Sequence, residues 1–267
     1  MRKALSIAGY DPSGGAGTLA DVRTFNRYGV YGAAVITAIT FQNTQGVYGV
    51  LPMGAEAVRR QLSLLLADTD FGAVKTGMLA TGEVVRVVAD LLSEYGVRNL
   101  VVDPVIRSTS GATLLDPSGV EAMVDTLLPM TTLITPNVPE AEVLASMKIE
   151  GPEDVEEAAR RILSLGPEAV LIKGGHLKGA PMDFLRVRRP DGDRAYRFVG
   201  KRVKWDVHGT GCVLSSSIAA LLSRGCDLIT AVSVAVSDMR GALKEHVVKV
   251  GKGRPVIFHG DGSGAPC

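Results

Sequence analysis

The sequence predicts an α/β fold, with a central, mostly parallel sheet flanked by helices on both faces. Three observations predict it. Short apolar runs recur along the chain, each followed within a few residues by Gly, Pro, Asp or Asn. Amphipathic segments of helical period lie between them. The two kinds of segment alternate, as a parallel sheet with helical crossovers requires.

The apolar runs are residues 4–8, 33–39, 73–75, 100–102, 132–134 and 169–172. Continuous apolar runs of this length suit parallel strands covered on both faces. Val84, Val87, Val88, Leu91 and Leu92 fall at i, i+3, i+4, i+7 and i+8, one stripe of a helix. Val155, Ala158, Ala159, Ile162 and Leu163 repeat the spacing. Thr81 is placed to cap the first of these helices, and Asp116 followed by Pro117 reads as an N-cap with Pro at N1. Residues 184–188 and 195–199 read as a hairpin around Pro190, Asp191, Gly192 and Asp193. Two long helices follow, over about 210–223 and 228–246. With no linker and no repeat, residues 1–267 read as a single domain whose tail frays from about 260.

Composition narrows the function classes. Lys plus Arg is 29 and Asp plus Glu 28, a net charge of +1, so no nucleic-acid partner is expected. No apolar stretch approaches the length of a membrane span, so no membrane partner is expected either. The short basic stretch from Lys201 to Lys204 reads as solvated. Cys212, Cys226 and Cys267 form neither a metal-binding spacing nor a disulfide framework, which points to a reducing cytoplasm.

Three constellations carry chemistry. Residues 9–17, GYDPSGGAG, follow the first strand and lead into a helix containing Asp21. Glycines there let backbone approach a ligand at the carboxyl end of the sheet. The pattern is neither GxGxxG nor a Walker A loop, so any ATP is held by another device. The second is His208-Gly209-Thr210-Gly211-Cys212 at the start of a helix. Backbone N–H groups at such a start favour an anion, and the same geometry is expected to depress the Cys212 thiol. A thiolate there could accept the proton of an attacking hydroxyl, or Cys212 could simply pack as a small apolar side chain. The third is Thr135-Pro136-Asn137-Val138-Pro139-Glu140. Its acid and amide suit either Mg²⁺ near phosphate or a plain helix cap. Lys173, in the Lys-Gly-Gly-His segment, and Asp103 each end a strand.

The segments SIAGYDPSGGAG, AITFQNTQGV, KTGML, VVDPV, ITPNVPEAE, IKGGH and HGTGCVLSSSIAA, in this order, resemble the hydroxymethylpyrimidine/phosphomethylpyrimidine kinase family. The resemblance spans about residues 6–253. It implies a ribokinase-like fold and transfer of the ATP γ-phosphoryl to 4-amino-5-hydroxymethyl-2-methylpyrimidine, then to its monophosphate. It implies a pyrimidine pocket of Gly9, Asp21, Gln42, Met78 and Val105, with Cys212 as base and Gly209, Thr210 and Gly211 as anion hole. Asn137 and Asp103 would serve phosphate, Lys173 would lie near ATP, and Glu140 would manage Mg²⁺, through water if not directly. A homodimer is implied as well. Tyr10 and Leu19 depart from the family pattern, which usually carries Ser or Thr and Gln there. Two other readings fit parts of the sequence: a pyridoxal kinase of the same fold, and a non-catalytic pyrimidine sensor.

Overall fold

The structure is a computed structural model, which describes residues 1–108, 111–175, 180–202 and 206–258. His176, Lys204 and the tail expected to fray lie outside the described residues. Among the described residues, nine strands form one sheet in the order β3-β2-β1-β4-β5-β6-β7-β8-β9. Their ranges are β1 Lys3–Tyr10, β2 Tyr31–Asn43, β3 Gly46–Pro52, β4 Ala73–Thr76, β5 Leu100–Val102, β6 Leu133–Ile134, β7 Ala169–Ile172, β8 Met182–Val187 and β9 Arg194–Val199. The interior, from β2 to β7, is parallel. The edges are antiparallel: β3 on β2 at one side, β8 and β9 at the other. A small second pairing joins β10 (Val247–Val248) to β11 (Val256–Ile257).

Strand side chains alternate between the two faces, because the pleat has a period of two. Leu5, Ile7, Val74, Val102, Ile134 and Val170 face one apolar layer. That layer is closed by α2 (Ala55–Asp68), α3 (Gly82–Glu94), α4 (Pro117–Ala122), α5 (Val138–Ala145) and α6 (Pro152–Ser164). Ala4, Ala73, Val101, Leu133 and Leu171 face the other, closed by α1 (Gly17–Arg27), α7 (Thr210–Ser223) and α8 (Leu228–Glu245). The expected fold class is therefore observed, with helices on both faces.

The local signals behave as the sequence predicts. Thr81 Oγ1 accepts the Val84 N–H at 3.3 Å, and Asp116 Oδ1 accepts the Gly119 N–H at 2.6 Å. The sequence reading omitted β3, α2, β10 and β11, and it stopped β2 at residue 39. Among the described residues, no helix is long and apolar enough to cross a membrane.

Candidate active site

Parallel strands leave their carboxyl ends along one edge of the sheet, and ligands of such sheets bind there. A cleft of about 610 Å³ lies along this edge. Gly9, Gln42, Met78 and Val105 line it, as do Asp103, Asn137, Glu140, Lys173 and the run from Gly209 to Cys212. The sequence-predicted site residues thus converge on one cavity, with one exception. Asp21 is fully buried on α1 and is absent from the cleft wall. Its carboxylate is held by protein groups beneath the wall.

Those groups build the floor. Ser6 and Lys75 are register partners on β1 and β4 and so point to the same face. There Asp21 accepts Lys75 Nζ at 2.8 and 3.0 Å, Ser6 Oγ at 2.6 Å and Ser216 Oγ at 2.7 Å. Lys75 has no exposed surface. Burial alone would lower its pKa, but the charge of Asp21, with Cys212 and Asp103 nearby, raises it instead. It stays an ammonium. Removing one member of such a pair leaves the other charged and buried. Lys75→Met is therefore expected to cost about 3–5 kcal/mol of stability, read as a lower urea midpoint.

A second buried pair lies nearby. Asp103, just after β5, accepts Lys173 Nζ at 2.7 Å, and Ser215 Oγ lies 3.4 Å from its other oxygen. Burial pushes Asp103 up, but the charges of Lys173 and Lys75 hold it below the usual carboxylate range. Behind this pair, Asn137 and Glu140 form a capping box. Asn137 Oδ1 accepts the Glu140 N–H at 2.9 Å, and Glu140 Oε2 accepts the Asn137 N–H at 2.8 Å. The two readings of this motif coexist, since both residues also line the cleft. Burial pushes Glu140 up to about 7, with Asp103 adding to the rise against Lys173.

The Gly209–Gly211 turn begins α7. Gly209 has φ +79°, in the left-handed region, and a Cβ there would overlap the carbonyl oxygen of Gly15. The turn and the N-terminal glycine loop are thus in backbone contact, which only glycine permits. A Cβ on Gly211 would stand 3.1 Å from Lys173 Nζ, so the ammonium lies against the turn. These donors and the helix dipole make the corner a place for an anion.

Cys212 is a free, half-buried thiol opening on the cleft. The expected thiolate is not what its surroundings favour. Burial pushes the thiol up to about 11; Lys75 pulls it down, while Asp21 and Asp103 oppose that pull. The helix start, read alone, suggested the opposite sign; desolvation beside two carboxylates outweighs it.

The sequence reading gave no role to Asp11, His208 or Lys75. Asp11 organises the glycine loop: one oxygen accepts Ser13 N–H at 2.8 Å and Ser13 Oγ at 2.7 Å, the other the Ala16 N–H at 2.9 Å. His208 Nε2 lies 3.1 Å from Asp11 and 3.3 Å from Gln42 Nε2. It therefore links the glycine loop, the Gly209 turn and the expected ring-binding amide. Burial raises Asp11, but hydrogen bonds from His208 and Ser13 bring it below the usual range. The Asp-Pro-Ser-Gly order was a signal for this turn.

The family model described as phosphomethylpyrimidine kinase matches residues 11–257. A hydroxymethylpyrimidine/phosphomethylpyrimidine kinase of Aquifex aeolicus is 46% identical over 256 residues, 95% of this chain and 98% of that protein. Among solved structures, a phosphomethylpyrimidine kinase of Clostridium difficile is 38% identical with a TM-score of 0.79, covering 91% of this chain and 100% of its own. The ADP complex of Bacillus subtilis pyridoxal kinase is 32% identical with a TM-score of 0.87, covering 97% of both chains.

Proposed function

Because the chain belongs to the phosphomethylpyrimidine kinase family, and is thereby an ATP-dependent kinase, we propose that it phosphorylates 4-amino-5-hydroxymethyl-2-methylpyrimidine and then the resulting monophosphate. The observation that carries this is that the ring-side residues, the anion corner and Cys212 all line one cleft.

Gly9, Met78 and Val105 supply an apolar slot for the ring, and Gln42 supplies hydrogen bonds to its edge. Gly9 has no Cβ, which would come 3.0 Å from the Met78 sulfur. The backbone N–H groups of Gly209, Thr210 and Gly211 stabilise charge on the transferring phosphoryl group. Lys173, held by Asp103, adds a fixed positive charge there. Phosphoryl transfer needs little covalent help beyond such positioning.

Mg²⁺ would enter with the ATP phosphates as a hard, oxygen-seeking ion. The donors present fit a role through water. One Glu140 oxygen is committed to the Asn137 N–H and Asp103 is committed to Lys173, while the raised pKa of Glu140 marks a place where added positive charge is welcome. The ion would neutralise charge on the phosphates.

Cys212 accepts the hydroxymethyl proton. Its active form is the deprotonated one, and that form is scarce well below a pKa of about 11. The kcat/KM for the alcohol should therefore rise with pH between 7 and 9, by up to about tenfold per unit. A flat profile in that range would remove Cys212 as the base.

Pyridoxal is the second candidate substrate, because pyridoxal kinases share this backbone at TM-scores of 0.87 and 0.88. The relatives at higher identity carry the pyrimidine kinase name, and side chains rather than backbone choose between rings. The test is the ratio of kcat/KM for hydroxymethylpyrimidine to that for pyridoxal under Mg-ATP. A ratio well above one supports the proposal; a ratio well below one moves the chain to pyridoxal. A homodimer is part of the proposal too, since Phe41, Tyr48 and Leu51 leave large apolar surface exposed on the β2–β3 hairpin. Sedimentation at micromolar concentration tests it.

A further inference from the structure

We propose that the buried Lys75–Asp21 pair is a positioning device for Cys212, in which Lys75 stabilises the thiolate that takes the substrate proton. The proposal rests on the reading of Cys212 as base and deepens it.

Geometry places the pair against that residue. Ser216 follows Cys212 by four positions on α7, so the two share one helix face. Ser216 Oγ donates to Asp21, and Asp21 holds Lys75 through both carboxylate oxygens. The face bearing the thiol is thereby fixed to the ion pair. Lys75 lies buried just beneath the cleft wall that Cys212 lines. Gly77 leaves space beside the ammonium: a Cβ there would stand 2.9 Å from Lys75 Nζ.

The arrangement is costly as mere scaffolding. A buried ion pair is often no better for stability than apolar residues of the same volume. The flanking Ala73 and Val74 show that this stretch of β4 is otherwise an ordinary core strand. A lysine at its end serves chemistry more readily than packing.

The charged groups around Cys212 come from five elements. Lys75 arrives from β4, Asp21 from α1, Asp103 from the end of β5 and Lys173 from the end of β7, with Glu140 behind on α5. Consecutive serines tie the two acids to α7: Ser215 to Asp103, Ser216 to Asp21. The first turns of α7, which carry Cys212, are therefore tied to both ion pairs. Lys173 lies against the anion corner and also feels the charge of Cys212, but Lys75 is the cation with the larger pull on the thiol. Lys75 favours the thiolate and Asp21 opposes it, with the cation's effect the larger.

Opposite signs make the test specific. The rate of Cys212 alkylation by iodoacetamide, located by peptide mass spectrometry, is measured at pH 8 on the full chain without substrate. Lys75→Met should slow it by about three- to tenfold, because a thiol raised further forms less thiolate while each thiolate reacts faster. Asp21→Asn should speed it by a similar factor, and Lys75→Arg should restore a rate near wild type. The rise of kcat/KM with pH should shift in the same directions. If Lys75→Met does not fold, the charge-neutral double variant Lys75→Met/Asp21→Asn replaces it, and should alkylate more slowly than wild type. Single variants that both slow alkylation, or both leave it unchanged, would overturn the proposal, as would a double variant equal to wild type. The two readings fail separately: turnover surviving in Cys212→Ala sinks the base, whereas wrong alkylation signs with an inactive Cys212→Ala sink only the tuning.

Discussion

Cys212→Ala should lower kcat for phosphorylation of the hydroxymethyl group by about 10²–10⁴, the range for losing a general base. The same variant should reduce the second phosphorylation far less, by under about tenfold on the same scale. The reason is the chemistry of the acceptor. An alcohol oxygen must shed a proton as it attacks, and Cys212 lines the same cleft as the ring slot and the anion corner. The phosphate of the monophosphate already carries negative oxygens at neutral pH, so it needs no base. Separate time courses for mono- and diphosphate, resolved by chromatography, give both constants. Equal losses in the two steps would mean that Cys212 shapes the site rather than taking a proton. Substrate binding should survive, since alanine leaves the slot of Gly9, Met78 and Val105 intact.

Gly209→Ala should be nearly as damaging, for a structural reason. The position has φ +79°, and the new Cβ would overlap the Gly15 carbonyl. A left-handed non-glycine residue costs roughly 1–2 kcal/mol, and the overlap forces the turn away from the glycine loop. Displacing the N–H groups of the corner should lower kcat by about 10²–10³, the cost of losing one anion-hole donor. Binding of the pyrimidine ring should change little. Wild-type turnover in a folded Gly209→Ala protein would remove the anion-hole role from this turn.

Much of the scaffold was legible because its signals are local. β5 and β7 are uninterrupted apolar runs, α3 and α6 show clean stripes, and α3 has a readable start at Thr81. α2 hid because Leu64, 73% exposed, sits in the same leucine run as the buried Leu62 and Leu66, which blurs the stripe. β3 hid because its antiparallel partner supplies the order, while Tyr48 and Leu51 point to solvent without alternation.

The site was legible as motifs but not as a charge network. Lys75 reads only as the last residue of a strand; nothing local announces that Asp21, fifty-four positions earlier, will meet it. Asp21 was placed on the cleft wall because its motif neighbours are there, although α1 turns its side chain inward. The sign of the Cys212 shift was missed for a related reason. A helix start is visible in the sequence, whereas the burial and the two carboxylates that oppose it arise only when α1, β5 and α7 pack together.

The most direct test of the central claim is incubation of the protein with Mg-ATP and hydroxymethylpyrimidine monophosphate, followed by chromatographic separation of the products. The account predicts the diphosphate, formed in step with ADP. No diphosphate, from a preparation that phosphorylates pyridoxal under the same conditions, would contradict it.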